Sequence, residues 1–203
     1  GLKTFKIPSG EITNLPYLEI VGQFKKKVIL STGMSTLDEI NKAVNILVSS
    51  GTNKKNITIL QCHSDYPTKY KDVNLNVIPS LKKYGVNVGF SDHTIDNISA
   101  IGAVAMGAKV IEKHFTISNQ LKGPDHKMSL NPLMLKKFIK DLRNIEICLG
   151  SKTKIVTTSE KKNMKIFRKS IFATSSIFTT SCPSIEACSA HIGSTSLIIT
   201  LAP

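Results

Sequence analysis

Short apolar runs recur along the chain, and each ends in a burst of polar residues. Thr4–Ile7 leads into Pro8-Ser9-Gly10-Glu11. Val28-Ile29-Leu30 leads into Ser31-Thr32-Gly33, and Ile57–Leu60 into Gln61-Cys62-His63-Ser64-Asp65-Tyr66-Pro67. Val86–Phe90 is followed by Ser91-Asp92-His93-Thr94, and Val110–Ile111 by Glu112-Lys113-His114. The runs are short, rich in β-branched residues and do not alternate. That pattern predicts strands buried on both faces, as in a parallel sheet covered by helices.

Between the runs the period changes to that of a helix. Thr36-x-x-Glu39 is a capping box, followed by Leu37, Ile40, Val44, Leu47 and Val48 at helical spacing. Gly51 suits the C-terminal cap. A weaker pattern at 74–84 is interrupted by Pro79, and 97–106 is a small-residue helix stopped by Gly107. From Asn131 as cap and Pro132 in the first turn, Leu135, Phe138, Ile139, Leu142, Ile145 and Leu149 form one stripe that ends at Gly150.

The order is therefore β-loop-α, repeated roughly every 25–30 residues, the scale of parallel βα units. Five strands and four intervening or terminal helices are predicted. A complete (β/α)8 barrel takes about 250 residues. Residues 1–150 read as the C-terminal portion of such an α/β TIM barrel, its second half plus one strand. An open doubly wound sheet is disfavoured, because no Gly-x-Gly-x-x-Gly loop follows any strand. The chain opens at Gly1 in what reads as mid-fold, so an incomplete protein is expected. Residues 151–169 are Lys-rich and read as an extended linker. Residues 174–203 are dense in Ser and Thr, with Glu186 the only formally charged side chain. They read as a weakly structured or non-native tail.

Charge narrows the partners. The chain has 27 Lys and Arg against 14 Asp and Glu, a net +13, which points toward anions of some kind. The lysines are spread as pairs and triplets, one cluster per repeat unit. Only Arg143 and Arg168 supply guanidinium groups, and no aromatic residues are interleaved for stacking. That distribution argues against nucleic acid and leaves acidic small molecules. No apolar run approaches the roughly 20 residues of a membrane span, and no signal peptide is expected. Cys62, Cys148, Cys182 and Cys188 make no Cys-x-x-Cys pair. Cys62 reads as a buried thiol, and this usage fits a reducing, cytoplasmic setting.

In a parallel barrel the polar bursts converge on the face where the strands end. Lys6, Ser9, Ser31, Ser64 and Ser91 would offer an ammonium and four hydroxyls, a cradle for phosphate or carboxylate. Lys6 could equally form a Schiff base. His93 and His114, on neighbouring strand ends, could share one divalent ion. Glu112, two residues before His114, would lie on the same side of its strand, with Lys113 facing away. It could orient a ligand or move a proton. Asp125, in the turn Gly123-Pro124-Asp125-His126, is a further candidate substrate ligand.

Five segments in order carry a resemblance. KIPSGEITNLPYL at 6–18, ILSTGMS at 29–35, VGFSDHT at 88–94, VIEKHFT at 110–116 and GPDHKMSLNP at 123–132 together resemble the sialic acid synthases, the N-acetylneuraminate synthase family. The match covers about residues 4–173. It implies a (β/α)8 barrel that condenses phosphoenolpyruvate with an N-acetylmannosamine-type sugar and releases phosphate, using Mn²⁺ or else Mg²⁺ or Co²⁺. By that resemblance His93 and His114 are metal ligands. Lys6, Ser9, Ser31 and Ser91 hold phosphoenolpyruvate, and Glu112 stands beside the reaction centre. Tyr66 and Asp125 contact the sugar. Ser64 stands where many members have a phosphate-binding Asn, and its shorter side chain departs from the pattern. The family further implies a homodimer in which residues 151–173 lead to an antifreeze-like domain. Here the match runs through RKSIFA at 168–173 and then dissolves, so this chain by itself is expected to be inactive. Two other readings stand beside this one: a Schiff-base aldolase using Lys6, and a non-catalytic basic binding module.

Overall fold

The computed structural model describes residues 1–169. They form a five-stranded parallel sheet in the order β1-β2-β3-β4-β5, with β1 Thr4–Ile7, β2 Lys27–Ser31, β3 Ile57–Cys62, β4 Asn87–Asp92 and β5 Val110–Lys113. Helices alternate with the strands: α1 Leu15–Gln23, α2 Leu37–Ser49, the short α3 Tyr70–Val73 and α4 Val77–Leu81, then α5 Ile98–Ala105 and α6 Pro132–Leu149. This is a partial TIM-barrel fold. Adjacent strands in sequence are adjacent in space, as successive βαβ units commonly are.

The sequence explains most of these elements locally. Thr36 accepts from the Glu39 backbone N–H while the Glu39 carboxylate accepts from Thr36 N–H, closing the capping box that starts α2. Asn131 caps α6 with Pro132 in its first turn. Pro79 does not break α4, because it sits in the first turn, where the missing N–H has no helical partner. The segment Leu15–Gln23 carries its own start signal, Asn14 as cap and Pro16 behind it.

Register assigns the two faces. Parallel partners share a face, and the pairs Lys6↔Ile29, Ile29↔Thr58, Leu60↔Gly89 and Ser91↔Glu112 define the inner one. The outer face carries Ile7, Val28, Leu30, Ile57, Ile59, Val88 and Phe90, which pack with Val21, Ile40, Ala43, Val44, Leu47, Ile78 and Leu81 of the helices as one core. The central strand β3 is buried along its whole length, whereas every residue of the edge strand β5 is half-buried. The sheet is strongly curled: Lys6 on the first strand and Glu112 on the last reach across the inner face to an ion pair at 3.2 Å.

Two expectations change. Of the α6 stripe only Phe138 is buried, packed with Ala100 and Leu130; Ile139 and Leu149 are about half exposed. The helix packs against α5 and against Ile111 of the edge strand β5. Residues 151–169 are not an extended linker throughout. The chain divides after Lys152, and beyond that point Thr158–Phe167 forms α7, started by a second capping box between Thr157 and Glu160. Thr-x-x-Glu supplies two hydrogen bonds to otherwise unpaired backbone N–H groups, which offsets the polar composition. The expectation for 174–203, and the last residues of the 168–173 match, lie outside the described residues.

Candidate active site

All five polar bursts open onto one pocket of about 390 Å³ at the C-terminal ends of the strands. Its walls include Lys6, Ser9, Ser31, Cys62, Ser64, Tyr66, Ser91, His93, Glu112 and His114. Nine of the ten candidate residues therefore line a single space, and the tenth, Asp125, borders it, with Oδ2 3.9 Å from Nδ1 of His114. A larger cavity of about 670 Å³ lies beside it between α2 and α4, but its only titratable lining residue is Cys62. The chemistry converges in the smaller one.

At one end, Lys6 Nζ donates to Ser31 Oγ at 2.9 Å and pairs with Glu112. Glu112 in turn accepts from Ser91 Oγ at 2.7 Å. Lys6, Ser31, Ser91 and Glu112, from four strands, thus form one connected polar layer. Gly33 N–H donates to Ser9 Oγ at 2.9 Å. A side chain at Gly33 would collide with Ser64 Oγ and crowd Ser9 Oγ and Cys62 Sγ, so glycine is what lets the backbone approach this cluster of hydroxyls. An ammonium, several hydroxyls and no second fixed cation suit a phosphate or carboxylate group.

At the other end stand the histidines. The rings of His93 and His114 have centroids 5.4 Å apart. Two imidazoles that share an ion at about 2.0–2.2 Å have centroids no more than about 6.5 Å apart, so the spacing is compatible with a shared ion. His93 Nδ1 lies 2.6 Å from the carbonyl of His63. A carbonyl only accepts, so Nδ1 is the donor in this contact, which leaves Nε2 as the nitrogen that would face a metal. Among the described residues no group of three or more His, Cys, Asp or Glu side chains forms a ready cage. The two histidines fit a divalent ion only if water or substrate completes its coordination, which is the open arrangement of a catalytic site.

Tyr66 roofs this end. Its ring lies 4.1 Å from that of His93 and meets the edge of His114 at 5.4 Å. Burial, with Cys62, Asp125 and Glu112 nearby, pushes its phenol above the ordinary tyrosine value. Lys113 faces away from the pocket, as period two predicted. Its ammonium is tied to Asp92 Oδ2 at 2.9 Å. Sequence reasoning did not assign Met34 or Gly33 to the site. Met34 has a left-handed backbone, φ 59°, and is largely exposed on the pocket wall; nothing in its residue type signals this.

The comparisons with known proteins bear on this geometry. A profile of the NeuB family matches residues 1–154. The chain belongs to the NeuB family. Its similarity to the N,N'-diacetyllegionaminic acid synthase of Campylobacter jejuni is 49% identity over 174 residues, covering 85% of this chain and 52% of that protein. The human N-acetylneuraminate-9-phosphate synthase is 35% identical over 171 residues, covering 83% and 47%. Among solved structures, the N-acetylneuraminic acid (sialic acid) synthetase of Leptospira borgpetersenii, crystallised with citrate, superimposes with a TM-score of 0.74 at 34% identity. That match covers 82% of this chain and 57% of that one. The chain thus spans about half the length of the curated relatives it matches. The NeuB-type sheet and its inner polar layer lie within the shared part. No helix among the described residues is long and apolar enough to cross a membrane.

Proposed function

We propose that this chain carries the strand-end half of a NeuB-type active site. In the complete protein that site condenses phosphoenolpyruvate with an acylamido aldehyde sugar. The observation that carries the reading is the convergence of Lys6, Glu112, His93 and His114 on one pocket although they come from three different strands. The similarity to a diacetyllegionaminic acid synthase favours a diacetamido sugar over N-acetylmannosamine or its 6-phosphate.

In this reading Lys6, Ser9, Ser31 and Ser91 hold the phosphate and carboxylate of phosphoenolpyruvate. His93 and His114 would hold a divalent ion, Mn²⁺ in the first instance, whose chemistry when bound is to polarise the aldehyde oxygen. The methylene carbon of the enol phosphate attacks the aldehyde carbon, water adds at the carbon that bears the phosphate, and phosphate leaves from that carbon. Glu112 lies between the two halves of the pocket, bonded to Ser91 and paired with Lys6, where it can accept or return a proton. Tyr66 and Asp125 border the sugar end. Fixed positioning and charge stabilisation supply much of the rate.

The test has two arms. Residues 1–203 alone are expected to bind phosphoenolpyruvate by calorimetry without releasing phosphate from it. A chain extended to a complete barrel is expected to release phosphate only when Mn²⁺ and the diacetamido sugar are both present. Borohydride trapping of pyruvate on Lys6 would instead establish a Schiff-base aldolase. A monodisperse residues 1–203 species that turns over, and stops on His114→Ala, would show that five strands suffice.

A further inference from the structure

The strand ladders stop one residue short of the histidines. β4 ends at Asp92 and β5 at Lys113, which are the last register partners. His93 and His114 come next, so no β4–β5 backbone pairing sets their separation. Each is held by a different loop: His93 O accepts from Thr68 N–H and His114 O from Leu130 N–H, both at 2.9 Å. Those bonds fix each histidine to its own surroundings and not to the other.

Two side-chain links cross from β4 to β5 just before the histidines. The inner one, Ser91 to Glu112, lines the pocket and must rearrange when a ligand engages either group. The outer one, Asp92 to Lys113, is sealed. The Asp92 side chain is 0% and the Lys113 side chain 4% exposed. Its hydrogen bonding is complete. Lys113 Nζ donates to Asp92 Oδ2 and to the carbonyls of Thr94 and Asp96, which uses all three of its N–H groups. Asp92 Oδ1 accepts from the backbone N–H and the hydroxyl of Thr94.

A buried ion pair is an expensive way to hold a sheet together. An apolar pair of similar volume often stabilises as well or better. What such a pair adds is a fixed geometry, because two charges out of water tolerate no loss of contact. We infer that Asp92 and Lys113 are positioning residues: a ligand-independent clamp that sets the distance between His93 and His114 while the inner link is free to exchange partners. The inference rests on the reading of the two histidines as a divalent-ion site.

The experiment compares residues 1–203 with Asp92→Asn and with the double variant Asp92→Asn/Lys113→Met. Each is measured for thermal unfolding, for Mn²⁺ affinity by electron paramagnetic resonance, and for phosphoenolpyruvate affinity by calorimetry. The single variant strands a buried ammonium and can fail to fold. The double variant removes both charges and is expected to unfold near the parent temperature. Its Mn²⁺ affinity is expected to fall by about tenfold to a hundredfold, the usual effect of losing groups that orient metal ligands. Its phosphoenolpyruvate affinity, which reads the Lys6 end, is expected to stay within about twofold. Mn²⁺ affinity unchanged in a folded double variant would overturn the clamp while leaving the metal site standing. So would parallel losses of both ligands together with stability. A parent that binds no Mn²⁺ would overturn the metal reading itself, and the clamp with it.

Discussion

The two faces of the same five strands obey different rules. Outside, Ile7, Leu30, Ile59 and Phe90 are buried at 2% exposure or less and belong to one apolar core. Inside, at the C-terminal ends, Lys6, Ser31, Ser91 and Glu112 form a polar layer in which each group has a partner. One residue of register separates the two environments, so a slip of a single position would exchange core for chemistry. Apolar burial on the outer face is therefore expected to set most of the stability, and changes to the partly exposed ion pair inside to cost little of it.

The sharpest way to break this comparison is on the outer face. Phe90→Ala is expected to cost about 3–5 kcal/mol, enough to unfold a marginal domain, read from the urea midpoint. Lys6→Ala, on the inner face, is expected to shift that midpoint little. It should instead weaken phosphoenolpyruvate binding by about tenfold to a hundredfold, the value of a charge-assisted contact of about 1.5–3 kcal/mol. If Lys6→Ala destabilises as much as Phe90→Ala, the division between the faces is wrong.

A smaller effect tests whether the outer layer draws stability from local signals as well as from packing. Thr36→Ala removes the α2 cap and is expected to cost about 1 kcal/mol. The Glu39 carboxyl is held below the usual carboxylate range, first by the Thr36 backbone N–H and then by its hydroxyl. Its pKa is lower folded than unfolded, so its contribution is complete above the unfolded value and is lost as pH falls through the folded one. Thermal unfolding at neutral pH and at about pH 3 should therefore show a smaller gap between parent and Thr36→Ala in acid.

What the sequence revealed follows from where its signals are strong. All five strands were legible because a parallel strand covered by helices is an unbroken apolar run. The polar burst after each run marked the pocket, and period two set Glu112 and Lys113 on opposite sides of β5. Helix α1 was not read from its pattern, although Asn14 and Pro16 announce it, because only Leu18, Val21 and Gly22 are buried on its nine residues. Helix α7 was hidden by lysines that outweigh a capping box in any composition argument. The clamp between Asp92 and Lys113 was not readable at all. Both residues look like ordinary polar loop formers until register makes them partners.

The ion pair between Lys6 and Glu112 has a consequence for how a ligand enters. The resting pocket already supplies its cation with an anion, so under the proposed function a phosphate would arrive as a competitor rather than as a first neutraliser. Binding is then an ion exchange, and the measured affinity is a difference between two pairings. Both groups are about one-third exposed, so the pairing being displaced is a weak one, about 0.2–1 kcal/mol. Glu112→Gln, which keeps the shape and removes the competitor, should tighten phosphoenolpyruvate binding by up to about fivefold. Calorimetry would detect that gain, and weaker binding would mean that Glu112 helps to hold the ligand instead of yielding to it. A pocket that loads by exchange also empties by exchange. Under the proposed function, once phosphate departs, the carboxylate two residues before His114 would already be in place to reclaim the ammonium.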